Sequence, residues 1–201
     1  MEKLEHIQDP KEKLFKIRIA TLMQEMIPYI GEPLNFRKGI GDTPRRVANA
    51  YWEMFSGYRA TAQDVVDLLT QFDGEQYDEI VLLKNIEFYS MCEHHMLPFF
   101  GTAHIGYIPN EKIVGISKLA RLLDIFARKL QIQERICSDV VDALMNILQP
   151  KGAACVIEAK HLCIACRGVQ KQHSVMVTSA LRGCMKEDMN CRQEFMNLIR
   201  S

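Results

Sequence analysis

A thiol and two imidazoles fall within four residues at Cys92-Glu93-His94-His95, and an imidazole–thiol pair, His161-Leu162-Cys163, lies far downstream. Cys92, His95 and Cys163 together offer two sulfurs and one nitrogen. Zinc takes such a Cys₂His set when its fourth position stays open to water. A C-x-x-H spacing in a tight turn after a strand lets both side chains converge on one ion. Alone the spacing is weak, because an unpaired Cys is often a small buried hydrophobe. The downstream pair strengthens it: His161 and Cys163 are two apart at the end of a predicted strand, so they are expected to project from one face. Cys166 is the residue that could close the site as a fourth ligand, and it is read as lying off it. His94 and His161 then remain beside the metal as imidazoles that titrate near neutrality, suited to proton transfer. His6, His104 and His173 are read as structural.

Anion-binding residues are concentrated in Gly115-Ile116-Ser117-Lys118-Leu119-Ala120-Arg121, where Ser117 is expected to cap a helix that carries Lys118 and Arg121 on one turn. Free N–H groups and the positive dipole end of such a helix favour phosphate, and Arg167 could add a two-pronged contact. Taken alone, the segment reads better as a capped surface helix with solvated charges. Neither G-x-x-x-x-G-K-[ST] nor G-x-G-x-x-G occurs, so no P-loop or Rossmann turn holds a nucleotide here. Glu134, in Gln131-Ile132-Gln133-Glu134-Arg135, either complements a helix dipole or offers two oxygens to the N1–H and 2-amino edge of a guanine. Spacing does not choose between them.

These residues need a scaffold. Asp9-Pro10-Lys11-Glu12 reads as an N-cap, a proline at N1 and a capping-box Glu. Phe15, Ile19, Leu22, Met23, Met26 and Ile30 follow at helical spacing, predicting an amphipathic helix over 10 to about 30. Residues 31–42 read as a loop, Thr43-Pro44 opens a second helix that stops near Gly57, and a shorter one is predicted over 62–70. From residue 79 the texture changes. A long strand leads into Cys92, and another returns over 102–108. Helices are predicted from Ser117 and over 133–148, strands over 153–160 and 174–181, and a last helix near 192–199. This order gives a helical region over residues 1–75 and an α+β domain over 76–201, an antiparallel sheet with helices on one face. Its edge strands and second face are most cheaply buried by association of subunits, so an oligomer is expected.

Composition narrows the function. Lys+Arg and Asp+Glu both number 25, so there is no basic excess of the kind a general nucleic-acid binder carries. Nothing in the chain approaches a membrane span, and Met1-Glu2-Lys3-Leu4-Glu5-His6 lacks the apolar core of a signal peptide. Seven scattered cysteines without an export signal point to reduced thiols or metal ligands in the cytoplasm.

The motifs Met91-Cys92-Glu93-His94-His95, Gly115 to Arg121, Gln131 to Arg135, and His161-Leu162-Cys163 with Arg167-Gly168 together resemble GTP cyclohydrolase I, in the family's order, from about Thr43 to the C-terminus. The resemblance implies the tunnelling fold, β-β-α-α-β-β, and a homodecamer with active sites at subunit interfaces. It also implies zinc on Cys92, His95 and Cys163, proton transfer by His94 and His161, and Gln133 beside them in the catalytic set. Glu134 falls on the guanine anchor, and Ser117, Lys118, Arg121 and Arg167 fall on residues that hold the triphosphate. The implied reaction turns GTP and water into formate and 7,8-dihydroneopterin triphosphate, the first step toward pterins and tetrahydrofolate. His161 or His94 would protonate N7 as water adds at C8, and ribose opening, Amadori rearrangement and ring closure follow. Gly31-Glu32-Pro33, Leu181-Arg182-Gly183-Cys184-Met185 and Cys166 depart from the family pattern. Two other readings fit the residues less fully: a tunnelling-fold enzyme of 7-deazapurine (queuosine) metabolism, with a nucleophilic Cys and no zinc, and a non-catalytic zinc-stabilised oligomer that binds purines.

Overall fold

A computed structural model describes residues 7–33, 37–69, 71–73 and 77–201. His6 and the 34–36 part of the predicted loop lie outside them. The residues group into two compact units, Met1–Ser56 and Gly57–Ser201.

In the first unit, α1 (Pro10–Tyr29) starts at the predicted N-cap and proline, without the expected capping box from Glu12. The Asp9 side chain accepts from Lys11 N–H, and proline occupies the first turn. Glu12 pairs with Lys16 one turn on. The buried face differs from the predicted stripe. Ala20 and Ile27 are buried, whereas Leu22, Met26 and Ile30 are exposed. The small side chains Ala20 and Ala48 let α1 and α3 (Thr43–Met54) approach closely, and Phe15 meets Trp52 at 5.4 Å. A four-residue helix, α2 (Lys38–Gly41), interrupts the predicted loop, and the Thr43 hydroxyl donates to Gly39 O, so Asp42 takes the N-cap position.

The second unit begins with α4 (Ala62–Leu68), closed by a reciprocal Thr61–Asp64 capping box; the sequence reading put this helix in the N-terminal region. After a short strand, β1 (Gln71–Asp73), follow β2 (Val81–Cys92), β3 (Pro98–Ile108), β4 (Lys112–Val114), α5 (Ile116–Ala127), β5 (Leu130–Gln131) and α6 (Gln133–Ile147). Then come β6 (Gly152–His161), α7 (Leu162–Ala165), β7 (Met176–Gly183), α8 (Cys184–Glu187) and α9 (Met189–Arg200). The main sheet has the order β5-β2-β3-β6-β7, antiparallel except for the short β2/β5 pairing, and β1 pairs with β4 apart from it. The expected α+β order is therefore present.

Strand alternation builds two cores. On one face Phe88, Phe99, Ile105, Cys155 and Ile157 meet Leu119, Leu122 and Leu123 of α5 and Ile136, Val140 and Leu144 of α6. The intervening residues Ala154 and Val156 point to the other face, where they meet Ile80, Leu181, Met185 and Phe195. Thus β6 is buried on both sides, and α8 and α9 cover part of the face that was expected to lack helices. On the same face, Tyr89 and Phe100 remain exposed and stacked.

Strand β3 crosses β6 so closely at Gly101 that a Cβ there would overlap the Glu158 carbonyl oxygen. Gly101→Ala is expected to cost about 1–3 kcal/mol or more, because both partners are backbone and cannot swing aside; the midpoint of urea unfolding measures it. His104 is buried, and its Nδ1 accepts from Asn85 N–H at 3.4 Å, which anchors the bulge in β2 where Asn85 takes a left-handed conformation. Burial holds its pKa below the usual 6.5; Glu158 opposes this and Lys84 adds to it. The unfolded chain therefore binds the proton more readily. Stability from this site is complete above about pH 6.5 and lost as pH falls through the folded pKa. His104→Asn keeps an acceptor for Asn85 but takes no proton, so the fall in urea midpoint on acidification should flatten. An acid limb of unchanged steepness would exclude His104 as its source.

Candidate active site

The β2–β3 hairpin makes the first half of the site. Cys92 N–H donates to Leu97 O and Met96 N–H to Cys92 O, both at 2.9 Å, closing a four-residue turn whose last member, Met96, is left-handed. Strand β2 runs through Cys92 itself, so the thiol points into the core while His94 and His95 stand exposed on the turn. The second half hangs from the end of β6. His161 is the last residue of that strand, and Cys163 sits one step into α7. The expected strand spacing between these two thus gives way to a helical turn, which still buries the Cys163 thiol facing Cys92.

The donor atoms of Cys92, His95 and Cys163 all lie within 4.8 Å of one another, with His95 Nδ1 3.7 Å from Cys92 Sγ. Tetrahedral zinc with bonds of ~2.0–2.3 Å spaces its ligand atoms roughly 3.5–3.8 Å apart. The three residues therefore fit a metal with little closure. Burial, then the neighbouring Cys92, push the Cys163 thiol above its ordinary pKa, while Arg167 pulls it down. A divalent cation reverses that balance by taking the thiolate. Cys166 is exposed and turned to the Leu162 carbonyl at 3.0 Å, outside this group.

His161 is held on two sides. Its ring stacks on Phe99, the residue opposite it in β3, at 4.4 Å and 5°. Its Nε2 lies 2.8 Å from Gln133 Oε1. Gln133 is buried at the start of α6, and its amide nitrogen donates to Ile157 O, Met176 O and Thr178 Oγ1, each at 3.0 Å. Those acceptors leave the amide oxygen facing His161, so the imidazole carries its hydrogen on Nε2 and keeps Nδ1 free. Burial lowers the His161 pKa and the nearby Glu134 carboxylate raises it. Glu134 itself is exposed.

The other expected anion residues divide. Arg167 is exposed and close enough to act on Cys163. Ser117, Lys118 and Arg121 are in the first two turns of α5, where Gly115 rather than Ser117 is the N-cap residue. It is the last turn of α5 that borders the thiols: Phe126 O accepts from Gln131, which pairs with Cys92. The three residues lie roughly 8–14 Å back along the helix axis from Phe126. One chain therefore gathers Cys92, His94, His95, Gln133, Glu134, His161, Cys163 and Arg167, but not the α5 residues, into one place. Sequence reasoning missed Phe99, whose part follows only from strand register, and the roles of Glu93, Gln131 and Arg135. The pairing of these three is a tertiary fact that their types and positions in the chain do not carry.

The family model described as GTP cyclohydrolase I matches residues 19–200, reaching back into α1. GTP cyclohydrolase 1 of Wolinella succinogenes is 52% identical over 185 residues, 92% of this chain and 97% of that one. The GTP cyclohydrolase 1 of Leptospira biflexa is 47% identical, with 91% and 98% covered, and that of Thermobifida fusca 50%, with 90% and 87%. A solved structure titled archaeosine synthase QueF-Like aligns with 52% of this chain and 94% of its own at 15% identity and a TM-score of 0.42, too distant to bear on function.

Proposed function

Since the chain belongs to the GTP cyclohydrolase I family and is an enzyme of that kind, we propose that it opens the imidazole ring of GTP at a zinc ion. The ligands are Cys92, His95 and Cys163, and the products are formate and 7,8-dihydroneopterin triphosphate, for pterin and tetrahydrofolate synthesis. The observation that carries the zinc assignment is the convergence of those three donors within 4.8 Å beside an imidazole of fixed tautomer. When bound, zinc would supply an acidified water, its pKa lowered from that of bulk water to about 7.

The chain's own residues supply the rest. With Nε2–H given to Gln133, His161 offers Nδ1 for proton traffic at purine N7, and His94, exposed beside His95, is a second imidazole for the later hydrolysis that frees C8. The Glu134 carboxylate matches the two donors on the guanine edge. Lys118, Arg121, Ser117 and Arg167 hold the triphosphate, which orients the base without being cleaved. The distance of the α5 residues from the thiols supports a site completed by a second copy, as does the exposed Tyr89–Phe100 pair on the sheet. We take the assembly to be the family's homodecamer. No helix among the described residues is long and apolar enough to cross a membrane.

Incubation with GTP, with and without a chelator, tests the reading by release of formate and by pterin fluorescence after oxidation. Both signals should vanish with chelation and return with zinc. GTP binding without formate supports the purine-binding oligomer instead, and a zinc-free, thiol-reactive enzyme supports the 7-deazapurine branch.

A further inference from the structure

The turn that presents Cys92, His94 and His95 is closed at its base by backbone bonds, but its tip is tied by a side chain outside the hairpin. Arg135, in the first turn of α6, donates from Nη1 to Glu93 Oε2 at 2.7 Å and to Gln131 Oε1 at 3.2 Å, and from Nη2 to Glu93 Oε1 at 3.4 Å. Glu93 stands between Cys92 and His94 in the chain, and its carboxylate also lies 3.7 Å from His94 Nε2. The receiving side is itself fixed. Gln131 is buried, pairs with Cys92, accepts Glu93 N–H on its carbonyl, and spends its amide nitrogen on Phe126 O and Asp139 Oδ2. Its amide oxygen is thus left for Arg135.

Two residues earlier on the same turn, Gln133 reaches inward to His161. One turn of helix therefore grips both halves of the site, through Gln133 at the β6 end and through Arg135 at the hairpin. We propose that Arg135 is a positioning residue: clamped on Glu93, it sets the Cys92–His95 turn against Cys163 for metal binding. This rests on the reading that the turn holds zinc.

The pair is a poor candidate for a purely stabilising role. Its side chains are 45% and 30% exposed, and exposed ion pairs contribute little to folding. A two-pronged guanidinium–carboxylate contact instead fixes orientation, which a point-like ammonium does not reproduce. Residues that orient metal ligands typically change metal affinity ~10–100-fold.

The test measures zinc affinity of the full-length chain by competition with a chromophoric chelator, for the parent, Arg135→Ala, Arg135→Lys, Glu93→Ala and the double alanine variant. Cobalt absorption of each variant reports ligand geometry, and metal-free thermal unfolding reports folding. Arg135→Ala and Glu93→Ala should each weaken zinc ~10–100-fold, and the double variant no further, because either change releases the same clamp. Lysine should restore only part, the cobalt spectrum should change, and metal-free unfolding should hardly move. Parent-like zinc affinity in Arg135→Ala overturns the clamp, as do losses that multiply in the double variant. A parent chain that takes no zinc refutes the metal reading, and the clamp's role with it.

Discussion

Cys163→Ala is expected to abolish zinc binding and formate release together, with activity down at least ~10³-fold, since Lewis-acid and water activation contribute several kcal/mol and each 1.36 kcal/mol is tenfold. Cys163 is buried at the start of α7, and its donor atom is within 4.8 Å of those of Cys92 and His95. Two donors alone leave the ion poorly held. Serine should not rescue, because a neutral hydroxyl is a far weaker zinc ligand than a thiolate. Metal content by elemental analysis, read beside formate release, checks the result. A zinc-free variant that still turned over GTP would remove the metal from the reaction.

His161→Ala should behave differently: zinc retained, turnover reduced ~10²–10⁴-fold, the range of a lost general acid or base. The structure sets the two residues apart. His161 lies outside the three converging donors, with Nε2 on Gln133 and its ring on Phe99. Its loss thus takes away a proton carrier and leaves the ligand set whole. Full activity would take His161 out of the mechanism, and loss of zinc would make it part of the metal's support. A partial deficit shared with His94→Ala, deeper in the pair, would show the two imidazoles dividing the proton transfers.

Much of this site was legible in residue types. Thiols and imidazoles at Cys92-x-x-His95 and His161-x-Cys163 could hold a divalent ion of borderline softness wherever the chain brings them together, and the order of strands and helices around them specified the class of sheet. Ligand identity is a property of side-chain chemistry, which sequence carries in full. Element limits followed from alternation and helical period, though α7 and β5 are too short to show a period, so the strand spacing read into His161 and Cys163 became a helical turn.

The rest required tertiary contact. Burial of the second sheet face by Phe195 depends on how α9 folds back, which its own pattern does not state. The separation of Ser117, Lys118 and Arg121 from the thiols depends on α5 approaching Cys92 with its last turn rather than its first. The tautomer of His161 depends on three acceptors from β6 and β7 that surround the Gln133 amide. Each is a relation between residues far apart in the chain, set by strand register and helix direction. Sequence by itself determined which groups could bind metal and move protons; only the folded chain decided which of them face one another, because local pattern fixes an element's faces and packing fixes their neighbours.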